Sequence, residues 1–145
     1  MEIVHVRTWT ELNQCFTIRK KVFVEEQGVP AELEIDEFDA SPDACGHILL
    51  LSDGQPAGTG RWRPYNTDSA KLQRLAVLVE YRGRGIGKKL IEALEQEARE
   101  AGNQFCILDG QCHAESFYHK LGYVTISPEP FEDAGIMHVR MRKTL

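Results

Sequence analysis

The chain has 145 residues, of which 42% are hydrophobic and 27% charged, the size and balance of one globular domain. Such a length buries about 70% of its unfolded surface and needs no disulfide or metal to hold it together. With 17 basic and 22 acidic residues the formal net charge is −5, which speaks against general nucleic-acid binding, since that calls for a basic face.

Ile3, Val4 and Val6 mark a first strand over residues 2–7. Thr8-x-x-Glu11 is a capping box, and Leu12, Cys15, Phe16, Arg19, Val22 and Phe23 recur at helical spacing, which predicts a helix to about Phe23. Residues 22–39 hold Gly28, Pro30 and a crowd of carboxylates: Glu32, Glu34, Asp36, Glu37 and Asp39, with Glu26 just before. They read as a loop or short helical turns outside the core, with charges facing solvent. His47 to Ser52 is a strand, Asp53-Gly54 a hairpin turn, and Gln55 to Arg63 the return strand. Gly58 and Gly60 in that return strand point to a bulge or a close neighbour.

The apolar run Leu75 to Val79 is a buried strand, followed by Arg82-Gly-Arg-Gly-Ile-Gly-Lys-Lys89. Ile86, Leu90, Ile91, Leu94 and Ala98 then form one face of a helix that ends near Ala101-Gly102. The glycines therefore sit on a strand-to-helix turn. There the first backbone N–H groups lack intrahelical partners and the helix dipole favours an anion. Small residues let a phosphate reach the backbone, and four flanking cations add attraction. A P-loop would need Gly at Arg82 and Ser or Thr at Lys89; a dinucleotide fingerprint from Gly83 would need Gly at Lys88. Both patterns fail. A tight turn with surface charges is the plainer alternative.

Further on, Phe105 to Leu108 is a strand, Ala114 to Leu121 a short helix closed by Gly122, and Tyr123 to Ile126 a strand. Residues 127–135 are a loop with two prolines, and Ile136 to Lys143 alternates as a last, half-exposed antiparallel strand. The cysteines, Cys15, Cys45, Cys106 and Cys112, form no C-x-x-C pair and give no support to a metal site. Cys15 and Cys106 fall in apolar patterns as small buried hydrophobes. No apolar run is long enough to span a membrane and no signal-peptide pattern is present, so the cytoplasm is the default location.

Arg82-x-x-Gly85-x-Gly87 after a Leu75-Ala76-Val77 strand resembles the acyl-CoA motif of the GCN5-related N-acetyltransferases, the GNAT family. Ala114-x-x-x-Tyr118-x-x-x-Gly122-Tyr123, about thirty residues later, resembles that family's second block. Arg19 to Pro30 with Glu34-x-Asp36-x-x-Asp39, and the ending Gly135-Ile-Met-His138-Val-x-Met141, are similar to the bacterial ElaA/YjcF-like subgroup, so the resemblance spans nearly the whole chain. It implies a single α/β domain over residues 1–145 with a mixed, mainly antiparallel sheet flanked by helices. It implies an acetyl-CoA-dependent N-acetyltransferase acting by direct attack of a primary amine, on a small molecule or a peptide, with neither metal nor nucleic acid nor membrane as partner. Homodimers are common in the family. A non-catalytic acyl-CoA-binding module is the rival from another class; it keeps the loop and can lose the acid.

In this resemblance Leu75, Ala76 and Val77 pair with the pantetheine arm, and a free N–H near Val77 faces the thioester oxygen. The backbone of Gly83, Arg84, Gly85, Ile86, Gly87 and Lys88 holds the pyrophosphate, with Arg82, Arg84, Lys88 and Lys89 supplying charge. Tyr118 is the general acid. Two positions depart from the family: Gln111 stands where Asn is frequent, and Lys71 where some members carry a catalytic glutamate. Glu34, Asp36, Asp39, His113 and His138 are candidate bases, none of them assigned. The acidic cluster at 32–39 would draw a cationic amine, whereas Arg61 and Arg63 would clamp a carboxylate on the acceptor.

Overall fold

The computed structural model describes residues 1–145. Eight strands, β1 (Glu2–His5), β2 (Gly46–Ser52), β3 (Gln55–Pro64), β4 (Ser69–Val77), β5 (Phe105–Gln111), β6 (Val124–Thr125), β7 (Phe131–Asp133) and β8 (Ile136–Thr144), form one sheet. Its order is β1-β2-β3-β4-β5-β8-β6, with β7 also on β8. Only β4 and β5 run parallel; every other pair is antiparallel. The helices are α1 (Trp9–Arg19), α2 (Ala31–Glu34), α3 (Ile86–Glu100) and α4 (Glu115–Lys120). This is the expected mixed, mainly antiparallel α/β architecture.

Two apolar layers sandwich the sheet. The predicted α3 stripe, Ile86, Leu90, Ile91, Leu94 and Ala98, is buried on one face against Ile48, Leu50, Ala57, Ala70 and Leu72. On the other face Leu12, Cys15 and Ile18 of α1, with Val22 beyond it, pack on Leu49, Ala76 and Leu78. The unbroken run His47 to Leu51 fits this placement, because a strand covered on both faces has no polar side to alternate with. Gly58 and Gly60 form the floor under α3. A Cβ on either would stand 2.9 Å from a leucine methyl, of Leu90 and Leu94 respectively.

Local signals hold up where they were strongest. Thr8 accepts from the Glu11 amide at 3.2 Å while the Glu11 carboxylate accepts from the Thr8 amide at 3.1 Å, closing the capping box. Asp53 and Gly54 both take positive φ, 49° and 79°, as a tight hairpin requires. Three boundaries differ from expectation. The first helix leaves α geometry after Arg19 and continues as a π-helix over Lys20–Glu26. The wider turn buries Val22 and sets Phe23, Glu26 and Gln27 on the wall of the cleft described below. The central strand begins at Ser69 and ends at Val77, and Val79 is two-thirds exposed in a 3-10 turn. Pairing with β3 recruits the Ala70–Gln73 stretch, whose alternation was overshadowed by the apolar run after it. Finally, the loop at 127–135 contains β7, joined to β8 by Ala134 and Gly135 at φ 51° and 80°.

Candidate active site

The site is built where the central strands part. β4 and β5 pair only from Ser69–Phe105 to Leu72–Leu108. Beyond that point β4 stays with β3 as far as Val77, and β5 stays with β8 as far as Gln111. The separation coincides with a bulge on β4. Register shifts between Arg61–Gln73 and Thr59–Ala76, and Arg74 takes the left-handed φ of 56°. Past the bulge, the Leu78 amide donates to Ala57 across β3. Strand alternation then turns the Val77 amide and carbonyl to the opposite, open edge. The carbonyl there accepts from Arg82 Nε at 3.0 Å.

The gap widens into a cleft of about 1060 Å³, walled by the π-helix, β4, the glycine turn, the end of β5, α4 and the start of β8. Leu75, Ala76, Val77, Arg82, Gly83, Gly85, Ile86, Gly87, Lys88 and Tyr118 all line it; Arg84 does not. Gly83 and Gly85 stand at φ 79° and 77° with no atom near where a Cβ would be. Gly85 caps α3 with no side-chain hydrogen bond, and the first helical bond runs from Lys89 back to Gly85. The amides of Ile86, Gly87 and Lys88 are thus left for a ligand, at the positive end of a 15-residue helix. At Gly87 a Cβ would sit 3.2 Å from the Phe117 ring, a close contact that the ring would have to yield to.

The cations of the turn divide. Arg82 is held by Glu26, with both terminal nitrogens at 2.8 Å from the carboxylate oxygens. Arg84 lies over the Tyr81 ring at 5.4 Å. Lys88 is the unpaired cation on the cleft wall.

Tyr118 projects from α4 across the floor of β5. A Cβ on Gly110 would lie 2.9 Å from Tyr118 Cδ2, so glycine is required for the ring to reach the cleft. Phe117 and Tyr123 meet the ring edge-on, at 5.0 and 6.1 Å between centroids. Burial pushes the Tyr118 hydroxyl up to about 12.

The acidic segment behaves unlike the sequence reading. Glu34 and Asp39 are buried, not solvated. Arg19, itself buried, donates to Glu34 Oε1 at 2.7 Å and to both Asp39 oxygens at 2.7 and 2.8 Å. Arg61 takes Asp36 in a fork at 2.6 and 2.8 Å and reaches Asp39 at 2.9 Å. Arg74 adds a bond to the Glu34 carbonyl at 3.2 Å. Burial works against ionised Asp39, but hydrogen bonds and charge from Arg19 and Arg61 outweigh it and hold its carboxyl well below the usual range. Three guanidiniums thus match Glu34, Asp36 and Asp39, which leaves only the exposed Glu32 and Glu37 of this segment without an ion-pair partner to draw an amine. Arg61 is committed to this network. Arg63 stacks on Phe38 at 5.0 Å, so the arginines expected to clamp a ligand carboxylate hold the fold instead. One clue was present in the sequence: Arg19 falls on the apolar face of its helix, and a buried arginine calls for carboxylates.

Among the other expected groups, Lys71 pairs with Asp109 at 3.1 Å, and Asp109 also accepts from Arg140 at 2.8 Å. Gln111 donates to Gln27 at 2.9 Å, joining β5 to the end of the π-helix, and its carbonyl oxygen lies 2.6 Å from His113 Nε2. His138 Nδ1 is 2.7 Å from the Ile136 carbonyl oxygen. No helix is long and apolar enough to cross a membrane.

The comparisons agree with this geometry. Residues 20–145 match the Acetyltransferase (GNAT) domain. YjcF of Bacillus subtilis, described as an uncharacterised N-acetyltransferase, is 40% identical over 143 residues, covering 99% of each chain. Escherichia coli ElaA shares the fold at 23% identity, with a TM-score of 0.85 over 98% of each chain. A GNAT acetyltransferase of Elizabethkingia anophelis, solved with acetyl-CoA bound, shares the fold at 15% identity and a TM-score of 0.75, covering 99% of this chain and 97% of its own. A glycine-fringed helix start beside a splayed strand, carried by a chain with these relatives, makes this protein an acetyltransferase of the GCN5-related N-acetyltransferase family.

Proposed function

We propose that the enzyme moves the acetyl group of acetyl-CoA to a primary amine by direct attack while both substrates are bound. The observation that carries this reading is the parting of β4 from β5 after Leu72, which leaves one strand edge open between the amides of α3 and Tyr118.

The residues present fit acetyl-CoA. Leu75 to Val77 offer an unpaired strand edge to an extended pantetheine chain. The turn at Gly83 and Gly85 clears space for a diphosphate against the free amides of α3. Acetyl-CoA supplies an activated thioester. The Val77 amide is turned to the open edge, where it can donate to the oxyanion that forms. Tyr118 gives its proton to the leaving sulfur. An ordinary phenol is a weaker acid than a thiol, and burial weakens Tyr118 further. The same dry surroundings raise the proton affinity of a thiolate forming beside it, which offsets much of that difference.

The amine is the harder problem. A lysine-like amine has a pKa near 10.4, so about one in 2,500 is neutral at pH 7, equivalent to about 4.6 kcal/mol. Burial of the acceptor and a positioned base must reduce this.

The test is thiol release from acetyl-CoA with a panel of primary amines. Amine-dependent release that follows saturation in both substrates is the expected result. Tight CoA binding without turnover of any amine would leave the acyl-CoA-binding module instead.

A further inference from the structure

We infer that His138 is the general base that takes the proton from the acceptor amine. The inference rests on amine acetylation as proposed above and names the group which that reading lacked.

Five carboxylates line the cleft: Glu26, Glu34, Asp36, Asp109 and Asp133. The first four are held respectively by Arg82, Arg19, Arg61 and the Lys71–Arg140 pair. A carboxylate matched in this way has its lone pairs engaged by donors and is not free to take a proton from an incoming amine. Asp133 is exposed next to the Ala134–Gly135 turn, where water solvates it. Two imidazoles remain, His113 and His138.

His138 is built as a base. Its Nδ1 lies 2.7 Å from the Ile136 carbonyl oxygen. A carbonyl only accepts, so Nδ1 carries the hydrogen, and in the neutral ring the lone pair is on Nε2. Nε2 has no hydrogen-bond partner in the chain. The ring is half-buried and stacks on Phe131, with centroids 6.1 Å apart and planes 23° from parallel. His138 also sits opposite both Gln111 and Phe131 in register, on the strand that carries β5 away from β4. The backbone carbonyl therefore sets the tautomer, and the stacked ring and the sheet register set the position, of one imidazole on the cleft wall. His113 is exposed, and its orienting partner is the Gln111 side chain rather than backbone.

The protons balance. The ammonium form of the acceptor gives one proton to His138 Nε2, and the freed nitrogen lone pair forms the C–N bond at the acetyl carbonyl. The C–S bond breaks with its electron pair on sulfur, which takes the Tyr118 hydroxyl proton. The second proton lost by nitrogen restores Tyr118, and His138 returns its own to solvent.

The test compares His138→Gln with the parent enzyme on two small nucleophiles, n-butylamine, which is protonated at neutral pH, and hydroxylamine, which is not. With a base at His138, kcat/KM for butylamine falls by about 10²-fold. The value for hydroxylamine changes by less than about threefold, because no proton need be removed before attack. CoA affinity measured by calorimetry stays the same. Equal losses for both nucleophiles, an intact butylamine rate, or the selective loss appearing in His113→Gln instead overturns the assignment. A second readout needs no turnover. Nitrogen-resolved NMR of the imidazoles at pH 7.5 should show His138 with Nδ1 protonated and Nε2 bare; the opposite tautomer overturns the base while leaving amine acetylation standing. A parent enzyme that binds acetyl-CoA but turns over neither nucleophile nor any other amine overturns the reaction and the base together.

Discussion

Arg82 and Glu26 lock together on the wall of the cleft, with both terminal guanidinium nitrogens 2.8 Å from carboxylate oxygens. The same guanidinium reaches the Val77 carbonyl through Nε. One side chain therefore ties the glycine turn to the π-helix on one side and to the open strand edge on the other. The charge expected to meet a phosphate is already matched by a carboxylate.

Glu26→Gln should free that guanidinium and remove a negative charge from beside the glycine turn. Both partners are substantially exposed, so folding stability should change by no more than about 1 kcal/mol. The Kd for CoA should fall, and calorimetry at low and moderate salt checks it. A weaker complex would mean that the pair serves CoA by holding the turn in shape.

Gly85→Ala should both strain the turn and crowd the diphosphate. At φ 77° a side chain costs roughly 1–2 kcal/mol. Gly102, at φ 92° past the other end of the same helix, supplies the control. Gly102→Ala should lower the melting temperature similarly but leave CoA binding unchanged, whereas Gly85→Ala should raise Kd about tenfold or more.

Tyr118→Phe should lower kcat about 10²-fold with little change in acetyl-CoA affinity. Because burial pushes the hydroxyl up to about 12, Tyr118 stays protonated through ordinary assay conditions. The alkaline side of the rate profile should therefore show no loss from this group below about pH 10. Unchanged kcat would remove the assignment.

Asp39→Asn should destabilise the fold by about 3–5 kcal/mol, since Arg19 and Arg61 would keep their charges in a buried site with one carboxylate fewer. The pH dependence has a definite sign. The folded carboxyl sits below its ordinary value of 3.8, so it binds its proton less readily than the unfolded one. Its stabilisation is complete above the ordinary value and is lost as pH falls through it towards the folded value. Urea unfolding at about pH 7 and pH 3 should show the gap between parent and variant shrinking in acid.

Much of this protein is legible along the chain because the signals are local. The capping box at Thr8 and Glu11, the stripe from Ile86 to Ala98, the Asp53–Gly54 turn and the glycines before α3 each depend on residues within a few positions of one another. The spacing of Arg82, Gly85 and Gly87, read with Tyr118, pointed to the family. The fate of the charges was not local. Arg19 meets Glu34 and Asp39, and Arg61 reaches back to Asp36 and Asp39, so Glu34 and Asp39, which look solvated in a polar stretch, are buried counter-ions and Asp36 a half-buried one. Their role depends on how deep the fold carries them and which guanidiniums arrive beside them, and spacing encodes neither. For the same reason the parting of β4 from β5 and the bare Nε2 of His138 belong to the tertiary structure alone. One is set by which strands run out of partners, the other by which ring nitrogen a backbone carbonyl happens to face.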